Sequence, residues 1–155
     1  MPDSIPDRPV RQISILVADD DYDDRSLFED AAEESSHLIK RIEFAVDGVD
    51  LLDRLKYRGS YAEMTDIPLP DIVMLDLNMP RMDGKEVLKE MEKDISLKSI
   101  PVVIMSTSSC ESDIADTYEN GARSYITKPL TFEELVEKVR ELAVYWTQVV
   151  RTKQH

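Results

Sequence analysis

The chain has a single cysteine, Cys110, so no disulfide can form within it. It has no apolar run near the roughly 20 residues that a membrane-spanning helix needs, and no apolar signal-peptide core follows Met1. These absences lead us to expect a reducing, cytoplasmic setting and no membrane partner. Cations are also scarce, with 19 Lys and Arg against 32 Asp and Glu and a formal net charge of −13. Neutralising a phosphate backbone takes clustered Lys and Arg, which argues against nucleic acid as a direct partner. No internal repeat is visible, and 155 residues suit one domain with a sizeable core.

What the chain does contain is apolar runs that end in acidic or hydroxyl residues. Ile72-Val73-Met74-Leu75 runs unbroken into Asp76, and the chain then turns at Asn78-Met79-Pro80. A short apolar run bounded by turn signals reads as a strand buried on both faces, which places Asp76 at its carboxyl end. Ile13 to Ala18 is a similar run closed by Asp19-Asp20-Asp21, and Pro101 to Met105 is closed by Ser106-Thr107-Ser108. Arg41 to Ala45 alternates polar and apolar residues, and Ala122 to Ile126 is mixed, so both read as edge strands. Helical patterns follow each strand, with Leu27, Phe28 and Ala31 on one face of the first and Ile114, Ala115 and Tyr118 forming a thin face on the fourth. Ser108-Ser109-Cys110-Glu111 and Thr131-Phe132-Glu133-Glu134 each fit a capping box. Tyr57 to Pro70 reads as a long loop.

Five strand-then-helix units predict a parallel sheet covered by helices, an α/β fold. With central strands one, three and four, edge strands two and five, and right-handed crossovers, the order 2-1-3-4-5 fits, a flavodoxin-like (βα)5 arrangement with an extended C-terminal helix. Residues 1–11 read as a flexible tail, 12–150 as the domain including its long last helix, and 151–155 as a polar tail.

That strand order brings Asp19 and Asp20 to the same sheet edge as Asp76. Three carboxylates about 4 Å apart repel by roughly 4 kcal/mol per pair at an effective dielectric near 20. Three pairs total on the order of 10 kcal/mol, comparable to the whole stability of a domain. A hard divalent cation would offset this, and Mg²⁺ favours one or two carboxylates, waters and a phosphate oxygen. Ser106 and Lys128 end on the same edge, and Lys128-Pro129 is a candidate cis peptide. Taken singly, each feature has a plainer reading: solvated loop aspartates, a loop-capping serine, a surface lysine.

Together, Val17-Ala18-Asp19-Asp20-Asp21, Leu75-Asp76-Leu77-Asn78-Met79-Pro80, Asp83-Gly84, Ile104-Met105-Ser106, Gly121-Ala122 and Tyr125-Ile126-Thr127-Lys128-Pro129 resemble the receiver domain of two-component response regulators over about residues 12–143. The resemblance implies that Asp76 accepts a phosphoryl group from a histidine kinase. It implies that Asp19, Asp20, Asp76 and the Asn78 backbone carbonyl hold Mg²⁺ or Mn²⁺, with Asp19 acting through water. Ser106 would be the switch hydroxyl, Lys128 the contact to the phosphoryl oxygens, and Tyr125 the switch aromatic. Asn78 and Ser108 would face the phosphoryl group and tune its lifetime. Such a protein turns over no small molecule; it catalyses its own phosphorylation and dephosphorylation and signals by protein–protein contact to a downstream partner that the sequence does not identify.

The pattern from Thr131 to about Arg151 stays helical for about 20 residues, or roughly 30 Å. Tyr145, Trp146, Val149 and Val150 are expected to overhang the domain as an apolar patch and mediate a homodimer; the alternative is a bend that packs this stripe on its own domain. No output module is expected after it. The long middle loop and the tryptophan in the last helix make the chain most similar to stand-alone receivers paired with phytochrome-type kinases. Two other readings stand beside this one. An aspartyl-phosphate phosphatase is disfavoured because its second acid would fall at Asn78, and a flavodoxin-like binding module because the loop after the first strand is acidic.

Overall fold

The structure is a computed structural model and describes residues 11–107 and 110–149. The tail before residue 11, Ser108, Val150, the 151–155 tail and the side chain of Val149 lie outside that description. Five strands, β1 (Ile13–Ala18), β2 (Ile39–Ala45), β3 (Ile72–Leu75), β4 (Val102–Ser106) and β5 (Ser124–Thr127), form one parallel sheet in the order β2-β1-β3-β4-β5. Every residue of β1, β3 and β4 is buried, whereas β2 and β5 are mostly half-buried, as a central or an edge position requires.

Helices α1 (Tyr22–Glu33), α2 (Gly48–Leu55), α3 (Gly84–Glu92), α4 (Glu111–Glu119) and α5 (Phe132–Val144) cover both faces. One apolar layer joins alternate strand residues such as Leu16, Val73 and Ile104 to Leu51, Leu55, Val87 and Leu88 of α2 and α3. The other joins Ile15, Met74 and Val103 to Phe28 of α1 and Val139 and Leu142 of α5. Among the described residues, no helix is long and apolar enough to cross a membrane.

Each helix start is set by a local side chain. Asp21, Asp47 and Thr131 accept a backbone N–H three residues on, and Asp83 and Glu86 close a full capping box on α3. The helix α4 starts at Glu111, with Cys110 at its N-cap and the Cys110 thiol 3.1 Å from the Ser112 hydroxyl. The capping box expected from Ser108-Ser109-Cys110-Glu111 rests on residues outside those described. Its one fully buried residue is Thr117, whose hydroxyl donates to the Ile114 carbonyl at 2.8 Å, while Ala115 and Tyr118 are exposed. On α1, Leu27 does not share the buried face of Phe28 and Ala31; it is 45% exposed and lines the cleft beside Lys128.

The last helix also differs. After Val144 the backbone widens into a π-helical turn, Tyr145–Val149. Trp146 turns inward, is 5% exposed and joins the α1/α5 core layer, so it does not overhang the domain. Its place four residues after Leu142 and seven after Val139 keeps Trp146 on the buried face of the helix, and the Thr147 hydroxyl donates to the Ala143 carbonyl at 2.6 Å within this segment. Tyr145 stays outside, 49% exposed and edge-on to Trp146.

The loop from Tyr57 to Pro70 contains a single 3₁₀ turn, Gly59–Tyr61, and is anchored from below by Arg54. Arg54 is 1% exposed; its guanidinium bonds Glu43 of β2 at 2.8 and 3.1 Å and the Pro68 carbonyl at 2.9 Å. The phenolic hydroxyls of Tyr57 and Tyr61 tie down the same segment, donating to the Ile67 carbonyl and to Asp50.

Candidate functional site

The carboxyl ends of β1 and β3 lie side by side, with Ala18 paired to Leu75, so the residues that follow them, Asp19 and Asp76, meet. Asp19, Asp20 and Asp76 each present a carboxylate oxygen, and these oxygens all lie within 4.8 Å of one another. Asp19 and Asp76 are buried and Asp20 is exposed. Two backbone groups help fix the buried pair: the Asp21 N–H donates to Asp19 Oδ1 at 2.9 Å, and the Asn78 N–H donates to Asp76 Oδ1 at 3.1 Å. Arg25 of α1 holds the loop behind them by donating to the Asp19 carbonyl at 2.8 Å.

Gly84 explains how the first turn of α3 comes so near the acceptor. A Cβ at that position would stand 2.7 Å from the Asp76 carbonyl oxygen and 2.8 Å from Leu77 Cα, so no larger residue fits without moving the strand end. On the neighbouring side, Arg81 adopts φ 66° and grips Asp47 through two bonds of 2.7 and 3.1 Å. This pins the loop after Asp76 to the start of α2, and it holds the Asp47 carboxyl below the usual carboxylate range.

Lys128 enters from the end of β5. Its backbone N–H bonds the Ser106 carbonyl at 2.8 Å, which ties the ends of β4 and β5 together. Its ammonium then reaches across two strands to Asp19 Oδ2 at 3.0 Å and Asp76 Oδ2 at 3.1 Å. A third bond, 2.8 Å, goes to Asp24 in the first turn of α1. In the sequence Asp24 is marked only as an acid in the first turn of α1, where it favours the helix dipole. The Lys128-Pro129 bond is trans, and no described residue has a cis peptide.

The electrostatics follow from this packing. Burial pushes the Asp19 carboxyl up, the Asp21 N–H and Lys128 pull it down, and the nearby Asp76 charge adds to the rise, leaving it above its usual value. Burial by itself pulls the Lys128 pKa down. The bonds to Asp24 and Asp19 and the charges of Asp76 and Asp19 outweigh it, so the ammonium is held above its ordinary value and stays charged. The carboxylate repulsion expected from the sequence is thus partly answered from within the chain. Lys128 meets three carboxylates with one charge, and the oxygens of Asp19, Asp20 and Asp76 are hard donors grouped as a divalent ion requires.

Ser106 is fully buried at the end of β4, and Tyr125, on β5, is half-buried against the α2/α3 core layer. Asn78 is exposed at the mouth of the site. The structure therefore brings Asp19, Asp20, Asp76 and Lys128 together and sets Ser106 and Asn78 at the same sheet edge.

A parallel five-stranded α/β sheet in the order β2-β1-β3-β4-β5, with an acidic cluster and a lysine at its carboxyl edge, is the arrangement expected of a receiver domain. Residues 15–140 match the model of the response regulator receiver domain, and the chain belongs to that family. It is 32% identical to the response regulator Rcp1 of Synechocystis sp. over 136 residues, 88% of this chain and 90% of that protein. It is 40% identical over 106 residues to the probable methanogenesis regulatory protein FilR2 of Methanothrix harundinacea, covering 68% of this chain and 66% of that protein, just under two-thirds of its length. Among solved structures it resembles the phosphorylated cyanobacterial phytochrome response regulator RcpA, with 32% identity, a TM-score of 0.83 and coverage of 92% of this chain and 99% of that one. The Mn²⁺-bound form of Rcp1 is similar at 31% identity and a TM-score of 0.79, with the same coverage.

Proposed function

We propose that this chain is the phosphoryl-accepting response regulator of a two-component relay, with Asp76 as the acceptor and a histidine kinase as the donor. One observation carries the reading: the Asp76 carboxylate is flanked by Asp19 and Asp20, and Lys128 Nζ stands 3.1 Å from its Oδ2. An Asp76 oxygen attacks the phosphorus of a phosphohistidine, the P–N bond breaks, and the imidazole leaves with its electron pair. Asp19, Asp20, Asp76 and the Asn78 carbonyl are the residues to hold Mg²⁺ or Mn²⁺, which when bound neutralises charge on the acceptor and phosphoryl oxygens. Lys128 exchanges its bond to Asp76 for one to a phosphoryl oxygen and balances the charge that develops there.

The acyl phosphate adds roughly −1.5 to −2 charge and new acceptor oxygens. Ser106 turns to one of these oxygens and Tyr125 moves into the space it leaves, a two-state element biased by a local charge. The helix α4, with one fully buried residue, is the element free to follow. Asn78, at the mouth, and Ser108 set how readily water reaches the phosphoryl group. Similarity to the phytochrome response regulator RcpA supports a kinase of phytochrome type. The same proposal places the chain in the cytoplasm and has it self-associate through the exposed side of the last helix, where Tyr145 stands without Trp146.

The test is phosphotransfer from an autophosphorylated histidine kinase of that type. Label is expected to pass to this chain in the presence of Mg²⁺ and to stay on the kinase when Asp76→Asn is supplied. Transfer to Asp76→Asn at the wild-type rate contradicts the proposal.

A further inference from the structure

Lys128 has three ammonium hydrogens, and its three acceptors come from three different elements: Asp19 after β1, Asp76 after β3, and Asp24 in the first turn of α1. The first two are also members of the acidic cluster that suits a metal, and Asp24 is not. A divalent ion and the lysine therefore both draw on the carboxylates of Asp19 and Asp76. Asp24 lies outside that competition. It is 41% exposed, stands at the cleft mouth beside Leu27 and Phe132, and accepts the shortest of the three bonds, 2.8 Å.

We propose that Asp24 is a positioning residue that acts through Lys128. It keeps the ammonium in the cleft while the metal and the incoming phosphoryl oxygens take over Asp19 and Asp76. The inference rests on the phosphoacceptor reading above for its purpose, but the Asp24–Lys128 coupling can be tested without it.

The bond arithmetic gives the reason. With Asp24 present, the lysine can give up Asp19 and Asp76 and still retain one charge-assisted bond, so it yields those oxygens at small cost. Without Asp24, its only carboxylate partners among the described residues are the two that the metal needs, and it holds them against the metal. Asp24 also sits where a first-turn acid favours the helix dipole of α1. That role involves no lysine, so the two accounts separate in a lysine-free background.

The experiment is a double-mutant cycle on Mn²⁺ affinity, using wild type, Asp24→Ala, Lys128→Ala and the double variant, each checked for a cooperative thermal transition. Removing Asp24 is expected to weaken Mn²⁺ binding about threefold or more when Lys128 is present and by less than about twofold when it is absent, a coupling of the size that contacting residues show. Asp24→Asn, of the same shape, replaces the alanine if the start of α1 does not tolerate it. An equal loss in both backgrounds marks Asp24 as one more local charge and overturns the inference, and so does unchanged affinity in the wild-type background. The same proteins are then exposed to acetyl phosphate with saturating Mn²⁺. An unmodified wild type there overturns the phosphoacceptor reading alone and leaves the coupling result to judge Asp24.

Discussion

Lys128 Nζ and Asp76 Oδ2 stand 3.1 Å apart, although 52 residues separate them in the chain. The contact exists because β3 and β5 end at the same edge of the sheet with β4 between them. In the metal-free chain it is this lysine that makes a cluster of buried and half-buried carboxylates tolerable.

Removing the cation should therefore destabilise the chain most when no metal can replace it. Lys128→Met is expected to lose about 2 kcal/mol in chelator, less than the ~3–5 kcal/mol of a fully buried pair because solvent reaches part of this site. Excess Mg²⁺ should raise its Tm by more than it raises that of wild type. Thermal unfolding with and without the ion measures both, and equal Mg²⁺ shifts would count against Lys128 as the internal counter-ion.

Trp146 is a core residue. Truncating it to Ala should cost about 3–5 kcal/mol, read by denaturant unfolding. Tyr145→Ala, on the exposed side of the same turn, should change stability by less than about 0.5 kcal/mol. If Trp146→Ala leaves stability intact and only weakens self-association, the inward packing is wrong.

The Asp47–Arg81 pair predicts a pH effect of definite sign. The Asp47 carboxyl is held below its ordinary value of 3.8, chiefly by the Arg81 hydrogen bond. A depressed carboxylate contributes stability above its unfolded value and loses it as pH falls through the folded one. Asp47→Asn keeps the helix cap and removes the charge. It should be less stable than wild type near neutrality, and the gap should narrow only below about pH 4, the range of an unfolded Asp. A gap that stays constant down to acid unfolding would show that the ion pair contributes nothing.

Arg54 makes the same kind of test for the long loop. Arg54→Ala leaves Glu43 and the Pro68 carbonyl without their donor. A loss of about 3 kcal/mol is expected, with protease cleavage moving into residues 57–70. Wild-type stability and an unchanged cleavage pattern would contradict the anchoring role.

The order of strands and the meeting of Asp19, Asp20 and Asp76 were legible in the sequence because both depend on patterns that a linear chain displays. Continuous apolar runs mark the central strands, and their last residues mark one edge of the sheet. The acidic run after β1 and the isolated Asp76 after β3 needed only the strand order to become neighbours. What was not legible depends on rotation and reach. Arg54 carries a charge in a helix whose other large buried residues are leucines, and nothing nearby in sequence announces that Glu43 waits on the strand before it. Trp146 keeps the helical period of Val139 and Leu142, and whether that face still meets the domain so far along the helix depends on what lies beneath it. Leu27 and Phe28 are adjacent apolar residues, and which one faces inward depends on the angle at which α1 crosses the sheet. Asp24 belongs to the site through the reach of Lys128, a contact across 104 residues that no local pattern displays.

The central claim is that Asp76 accepts the phosphoryl group, and intact-mass measurement after incubation with acetyl phosphate and Mg²⁺ tests it most directly. Wild type is expected to gain the mass of one phosphoryl group, lost on mild base treatment and mapped to the peptide carrying Asp76, while Asp76→Asn gains none. A wild-type chain that stays unmodified, or an Asp76→Asn chain that is modified equally, would contradict it.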